Sequence, residues 1–114
     1  MSSPTPKATP SALHDEEIKP EHTLLDLYYL SRCSREQKNY EDGLVYLNQA
    51  LERCSPVHQS LIYEGLCMEE MVICWHQDNY QRAKTACEYI INHSKNSIYY
   101  KLALKNKSEY YSKK

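Results

Sequence analysis

Between residues 40 and 54 the large side chains Tyr40, Leu44, Leu47, Leu51 and Cys54 fall at steps of 4, 3, 4 and 3. Only an α-helix brings that spacing onto one face. The same steps return at Leu61, Gly65, Met68, Val72 and Trp75, and again in part at Tyr80, Ala83, Cys87 and Ile90. No stretch alternates as a strand does. Two glycines in 114 residues leave little for turn-dense β folds or phosphate-cradling loops. The expectation is an all-α chain of five helices over roughly 23–38, 40–54, 56–77, 80–93 and 97–111. Lys38-Asn39 and Asp78-Asn79 break it, and Ser55-Pro56 reads as a cap followed by proline at the first helical position. In the first helix Leu24, Leu27, Leu30 and Ser31 share a side. In the fifth, the apolar residues Ile98, Tyr100, Leu102, Leu104 and Tyr111 carry the pattern.

The chain divides into two parts. Residues 1–21 hold all but one of the five prolines and few large apolar side chains, too little to offset the entropy of ordering. This part reads as a disordered tail, ahead of one helical domain over 22–112. Ser3, Thr5 and Thr9 each precede proline, the minimal pattern of proline-directed kinases. Ile18-Lys19-Pro20-Glu21 fits a SUMO acceptor at Lys19, with an apolar residue before the lysine and an acid two after it. The opening residues have no apolar run and no arginine-rich character, so neither a secretory signal nor a mitochondrial presequence is expected. No run of apolar residues is long enough for a membrane span. Cytoplasm or nucleus is the expected location.

The cysteines point away from chemistry. Cys33, Cys54, Cys67, Cys74 and Cys87 are odd in number and form no Cys-x-x-Cys pair. Neither a disulfide framework nor a zinc site is expected, and Cys74 and His76 alone make an incomplete ligand set. Glu69 and Glu70, adjacent on a helix, point about 100° apart and cannot act as a pair. With no nucleophile motif and no cofactor signature, the sequence reads as non-enzymatic.

The helix pairs repeat. Gln37-Lys-Asn39-Tyr40 returns forty residues later as Gln77-Asp-Asn79-Tyr80. Each copy is followed by a small residue (Gly43, Ala83) and then an apolar one four on (Leu47, Cys87). A small residue there lets the paired helix approach, and the next one plugs the gap. Such units cannot bury their own apolar faces and must stack.

On these residues the chain resembles a degenerate tetratricopeptide-repeat (TPR) protein. Leu27, Leu30, Ser31 and Ser34, then Gly43, Leu47, Ala50 and Pro56, take the signature positions of a first copy. Met68, Met71, Val72 and Trp75, then Ala83, Cys87 and Ile90, take those of a second. The resemblance implies two antiparallel helix pairs and a C-terminal capping helix. It also implies a non-enzymatic adaptor or complex subunit binding a peptide segment or helix of another protein on the concave face. That face would carry Tyr28, Tyr29, Arg32 and Arg35 from the first helix and Glu64, Met68, Met71 and Trp75 from the third, although Met68 sits on a stripe that also reads as core and Trp75 is read as core. So short an array also implies a companion subunit or self-association over part of an apolar face. In chaperone-binding members a terminal carboxylate is clamped by Lys and Asn at set positions. Lys101 and Lys105 have the required spacing, but Tyr28 and Arg32 replace the first-helix pair, so that clamp cannot form.

Charge is unevenly spread under a net −1. From Lys95 onward six lysines face one acid, giving +5, while His22 to Ser94 sum to −4. Lysines interleaved with Tyr99, Tyr100, Tyr110 and Tyr111 supply the alternative reading, a nucleic-acid-associated helical protein.

Overall fold

In the computed structural model, residues 22–112 are described, and they form five α-helices with no strand among them. Helix α1 runs Leu24–Glu36, α2 Tyr40–Arg53, α3 Ser60–His76, α4 Tyr80–His93 and α5 Ser97–Tyr111. The expected sites Ser3, Thr5, Thr9 and Lys19 lie outside the described residues.

Each start has a local cause. Thr23 and Asp26 form a reciprocal capping box, with Thr23 Oγ1 accepting from Asp26 N at 3.1 Å and Asp26 Oδ2 accepting from Thr23 N at 2.9 Å. Asn39, Asn79 and Asn96 cap α2, α4 and α5 through their side-chain oxygens. Helix α3 differs from expectation. Ser55 Oγ accepts from His58 N at 3.1 Å, and the Gln59 side chain accepts from Ser55 N at 2.8 Å. Those bonds close a turn around Pro56, so α3 begins at Ser60 with no side-chain cap.

The repeated tetrapeptide makes the same turn twice. Gln37, Lys38 and Asn39 have φ near −87°, 64° and −92°; Gln77, Asp78 and Asn79 have −92°, 62° and −91°. In both, the residue after the cap is left-handed. Asn39 N donates to Ser34 O and Lys38 N to Arg35 O, both at 2.8 Å. Asn79 N donates to Cys74 O at 2.8 Å and Asp78 N to Trp75 O at 3.1 Å. Each is a Schellman closure built without glycine.

The turns fold α1 against α2 and α3 against α4 as antiparallel pairs, and α5 closes the array on α4 and α3. Small residues hold the pairs close. A Cβ at Gly43 would stand 3.5 Å from Ser31 O and 3.2 Å from Ile73 Cδ1, and the Ser31 hydroxyl donates to Gly43 O at 3.0 Å. At Gly65 a Cβ would stand 3.0 Å from the Tyr28 ring, so this glycine seats α1 on α3.

Helix α3 touches all four others, and its buried residues lie all around it. One core, Leu27, Leu47, Ala50, Leu66 and Ile73, sits between α1, α2 and α3. The other is built largely of small side chains between α3, α4 and α5: Cys67, Cys74, Ala83, Ala86, Cys87 and Ala103, completed by Met71, Ile90 and Tyr110. Two expected stripes therefore need correction. On α3, Leu61 is 81% exposed while Leu66 and Ile73, off the expected stripe, are fully buried. On α5, Ala103 and Tyr110 face inward, and Ile98, Tyr100, Leu102, Leu104 and Tyr111 are all exposed.

Candidate interaction surface

Much of the polar chemistry expected on the concave face serves the interior instead. Arg35 on α1 pairs through two bonds with Glu69 on α3, whose side chain is only 6% exposed. Taking a carboxylate out of water is costly unless a cation and its hydrogen bonds compensate, so Arg35 ties the first helix to the third and is not a free contact residue. Glu64 is buried and accepts from Ser94 Oγ at 2.8 Å, linking α3 to the end of α4. Met71 is fully buried, and its carbonyl accepts from the Tyr110 hydroxyl at 3.2 Å. Of the residues expected on a binding surface, Glu64 and Met71 are buried, and Arg35, partly exposed, is engaged by Glu69.

Tyr28 is intermediate. Its ring covers Gly65, its hydroxyl neighbours Tyr99 on α5, and burial pushes its phenol up to about 12. The side chain thus bridges α1, α3 and α5. Trp75 is half-buried and stacked on Tyr110 at 4.1 Å, and Met68 packs against the same core. Glu69 and Glu70 diverge as expected. The first goes to Arg35 on α1, the second to Arg82 on α4, which also donates to Asn48 Oδ1 on α2 at 2.7 Å.

Four of the expected contact residues remain on the surface. Tyr29 is half exposed, Arg32 makes an exposed pair with Glu36 at 3.4 Å, and Lys101 and Lys105 are exposed on α5. An open groove of about 360 Å³ runs beside Tyr29, lined by His22, Asp26, Tyr29, Leu30 and Cys33.

The larger feature lies on α5, on the side chains that carry its apolar pattern. Five large side chains of α5 stay exposed: Ile98 at 67%, and Tyr100, Leu102, Leu104 and Tyr111 at 39 to 43%. Sequence signal for this existed. Tyr99, Ala103, Asn106 and Tyr110 fall at steps of 4, 3 and 4, and they are the inward-facing set. Complete burial of a leucine contributes about 1.5–3 kcal/mol, so roughly 1 kcal/mol remains to be gained at Leu104 alone.

Among the described residues no three His, Cys, Asp or Glu side chains group as metal ligands. Cys74 is buried, whereas His76 is exposed and stacks on Tyr40 at 4.3 Å. Burial pushes the thiols of Cys74 and Cys87 up to about 11 and that of Cys67 to about 12, the reverse of what a nucleophile needs. No described helix is long and apolar enough to cross a membrane. Comparison with protein families, with curated proteins and with solved structures finds no match to this chain.

Proposed function

We propose that the chain is a non-enzymatic adaptor or small subunit of a multiprotein complex, packing a segment of another protein against its helical surface. One observation carries the reading. Among the described residues, the two end helices of the array, α1 and α5, have no helix packed on their outer sides and expose Leu25 and Tyr29 at one end and five large side chains at the other. A stacked helical array needs its terminal faces either polar or covered. Here both faces mix charged residues with exposed large apolar ones that no described helix covers, and a bound partner segment or a second copy would cover them.

The duplicated turn and the pairwise packing support a TPR-like reading of the array. They do not depend on it being that family rather than another helix-pair repeat. Cytoplasm or nucleus remains the compartment this reading implies.

Nucleic-acid binding through the Lys/Tyr-rich α5 is the alternative. Two of its four tyrosines are already engaged: Tyr110 stacks on Trp75, and Tyr99 adjoins Tyr28. Lys84 and Lys107 lie over the Tyr111 ring, which leaves Tyr100 for stacking and favours a protein partner.

Capture with the tagged full-length chain from extract tests the two against each other. An adaptor retains a stoichiometric protein after nuclease digestion and in moderate salt. Loss of everything captured under either treatment refutes it. Changing Tyr29 and Arg32 together weakens a partner seated on α1 without altering helicity or melting.

A further inference from the structure

We infer that the flank of α5 bearing Tyr100, Leu104 and Tyr111 is a docking strip for an acidic amphipathic segment of another protein, in which Asp or Glu flank two or more large apolar residues. The inference rests on the interaction-subunit reading and names its surface and the partner's chemistry.

At 100° per residue, Tyr100, Leu104 and Tyr111 fall within an arc of about 40° on α5. All three are exposed, and among the described residues α5 packs on α4 and α3 and meets α1 through Tyr99 against Tyr28, away from these three positions. Lysines border the strip on both sides. Lys107 and, from α4, Lys84 lie over the Tyr111 ring at 5.6 and 5.3 Å from its centroid. Lys101 and Lys105 form the crest on the other side. Glu109 lies on the opposite flank with Ile98 and Leu102, and Glu88 sits one turn along α4 from Lys84. The strip is therefore apolar at Tyr100, Leu104 and Tyr111, with Lys107 at its edge between the last two, and its margins are basic.

That arrangement selects its occupant. An uncharged or basic segment would crowd the ammonium groups of Lys101 and Lys105 without pairing them, and desolvating them without a counter-charge opposes binding. Carboxylates at the margins remove that cost. They cannot carry the affinity alone, because exposed ion pairs contribute little, so the segment must also bury apolar side chains against Leu104 and the two rings. A second copy meeting strip to strip would set lysine rows against lysine rows across a two-fold axis. A polyphosphate chain has no use for Leu104.

The test is selection of random displayed peptides of about 12 residues on the full chain at physiological salt. The expected consensus is net acidic with large apolar residues. Synthesised winners should lose roughly tenfold in affinity for Leu104→Asp or Tyr100→Ser. They should keep it for Ile98→Ala on the opposite flank. The double variant Lys101→Glu/Lys105→Glu, with helicity checked by circular dichroism, should shift selection toward basic peptides. A neutral or basic consensus on the wild-type chain overturns the inference. Acidic winners indifferent to Leu104, Tyr100 and the lysine pair also overturn it, while leaving the interaction-subunit reading standing. Absence of enriched peptides overturns the strip as well. If a short oligouridine RNA binds at the same time, the interaction-subunit reading falls with it.

Discussion

Arg35 separates a structural role from a binding one. Its guanidinium holds Glu69, which is nearly sealed between α1 and α3, while its own side chain keeps about a quarter of its surface in water (26%). Removing one partner of a fully buried pair costs about 3–5 kcal/mol, because the other charge is left uncompensated. Water reaching the partly open arginine side can resolvate part of that charge, so Arg35→Met should cost about 2 kcal/mol. In a domain of this size that lowers the melting temperature by roughly 10 °C. Replacing both charges, Arg35→Met with Glu69→Met, removes the orphan and should recover most of the loss. Urea denaturation of the four members of the cycle measures the coupling directly. A cost below about 0.5 kcal/mol for Arg35→Met, or a double variant no better than the single, refutes the tie. Loss of partner capture with unchanged melting would return Arg35 to the contact surface that the spacing alone had indicated.

Lys38 holds a left-handed conformation at the end of α1, which costs a non-glycine residue about 1 kcal/mol, so Lys38→Gly should raise stability by about that much in urea titration. Asp78→Gly should gain less, since it also removes the bond from the Tyr80 hydroxyl at 2.9 Å; destabilisation by Lys38→Gly contradicts the turn geometry. Burial raises the phenols of Tyr28 and Tyr63 and the thiol of Cys67 to about 12, and the thiols of Cys74 and Cys87 to about 11. The unfolded chain then ionises first as pH rises, so stability is intact below about pH 8 and falls through about pH 9–11; a urea midpoint that stays flat across this range contradicts the burial. A thiol reagent should label exposed Cys33 first and half-buried Cys54 more slowly, with Cys67, Cys74 and Cys87 reacting only on unfolding; rapid labelling of all five thiols contradicts the packing.

The helical class, the antiparallel pairing and four of the five helix boundaries were legible in spacing because capping and apolar periodicity are local. The repeated turn was legible as a repeat, though its left-handed residues were hidden by having no glycine. What failed was non-local. The stripe rule assumes that one face of a helix is buried, and α3 has neighbours on every side, so it chose Leu61 and passed over Leu66 and Ile73. On α5 the eye follows large aliphatic residues, while the inward positions carry Ala103 and Asn106 because α3 and α4 come close there. Arg35, Glu64 and Met71 looked like contact residues by type. Their role depended on Glu69, Ser94 and Tyr110, each about thirty to forty positions away.

On this reading a protein segment, and not nucleic acid, covers the helical surface. Native mass spectrometry of the full-length chain, purified with its captured material from nuclease-treated extract, tests it most directly. A discrete complex is expected, with a mass equal to this chain plus a polypeptide in fixed proportion, and it is lost when Leu104 is changed to Asp. A spectrum holding only the bare chain, or adducts that vanish in proportion to nuclease treatment, would contradict it.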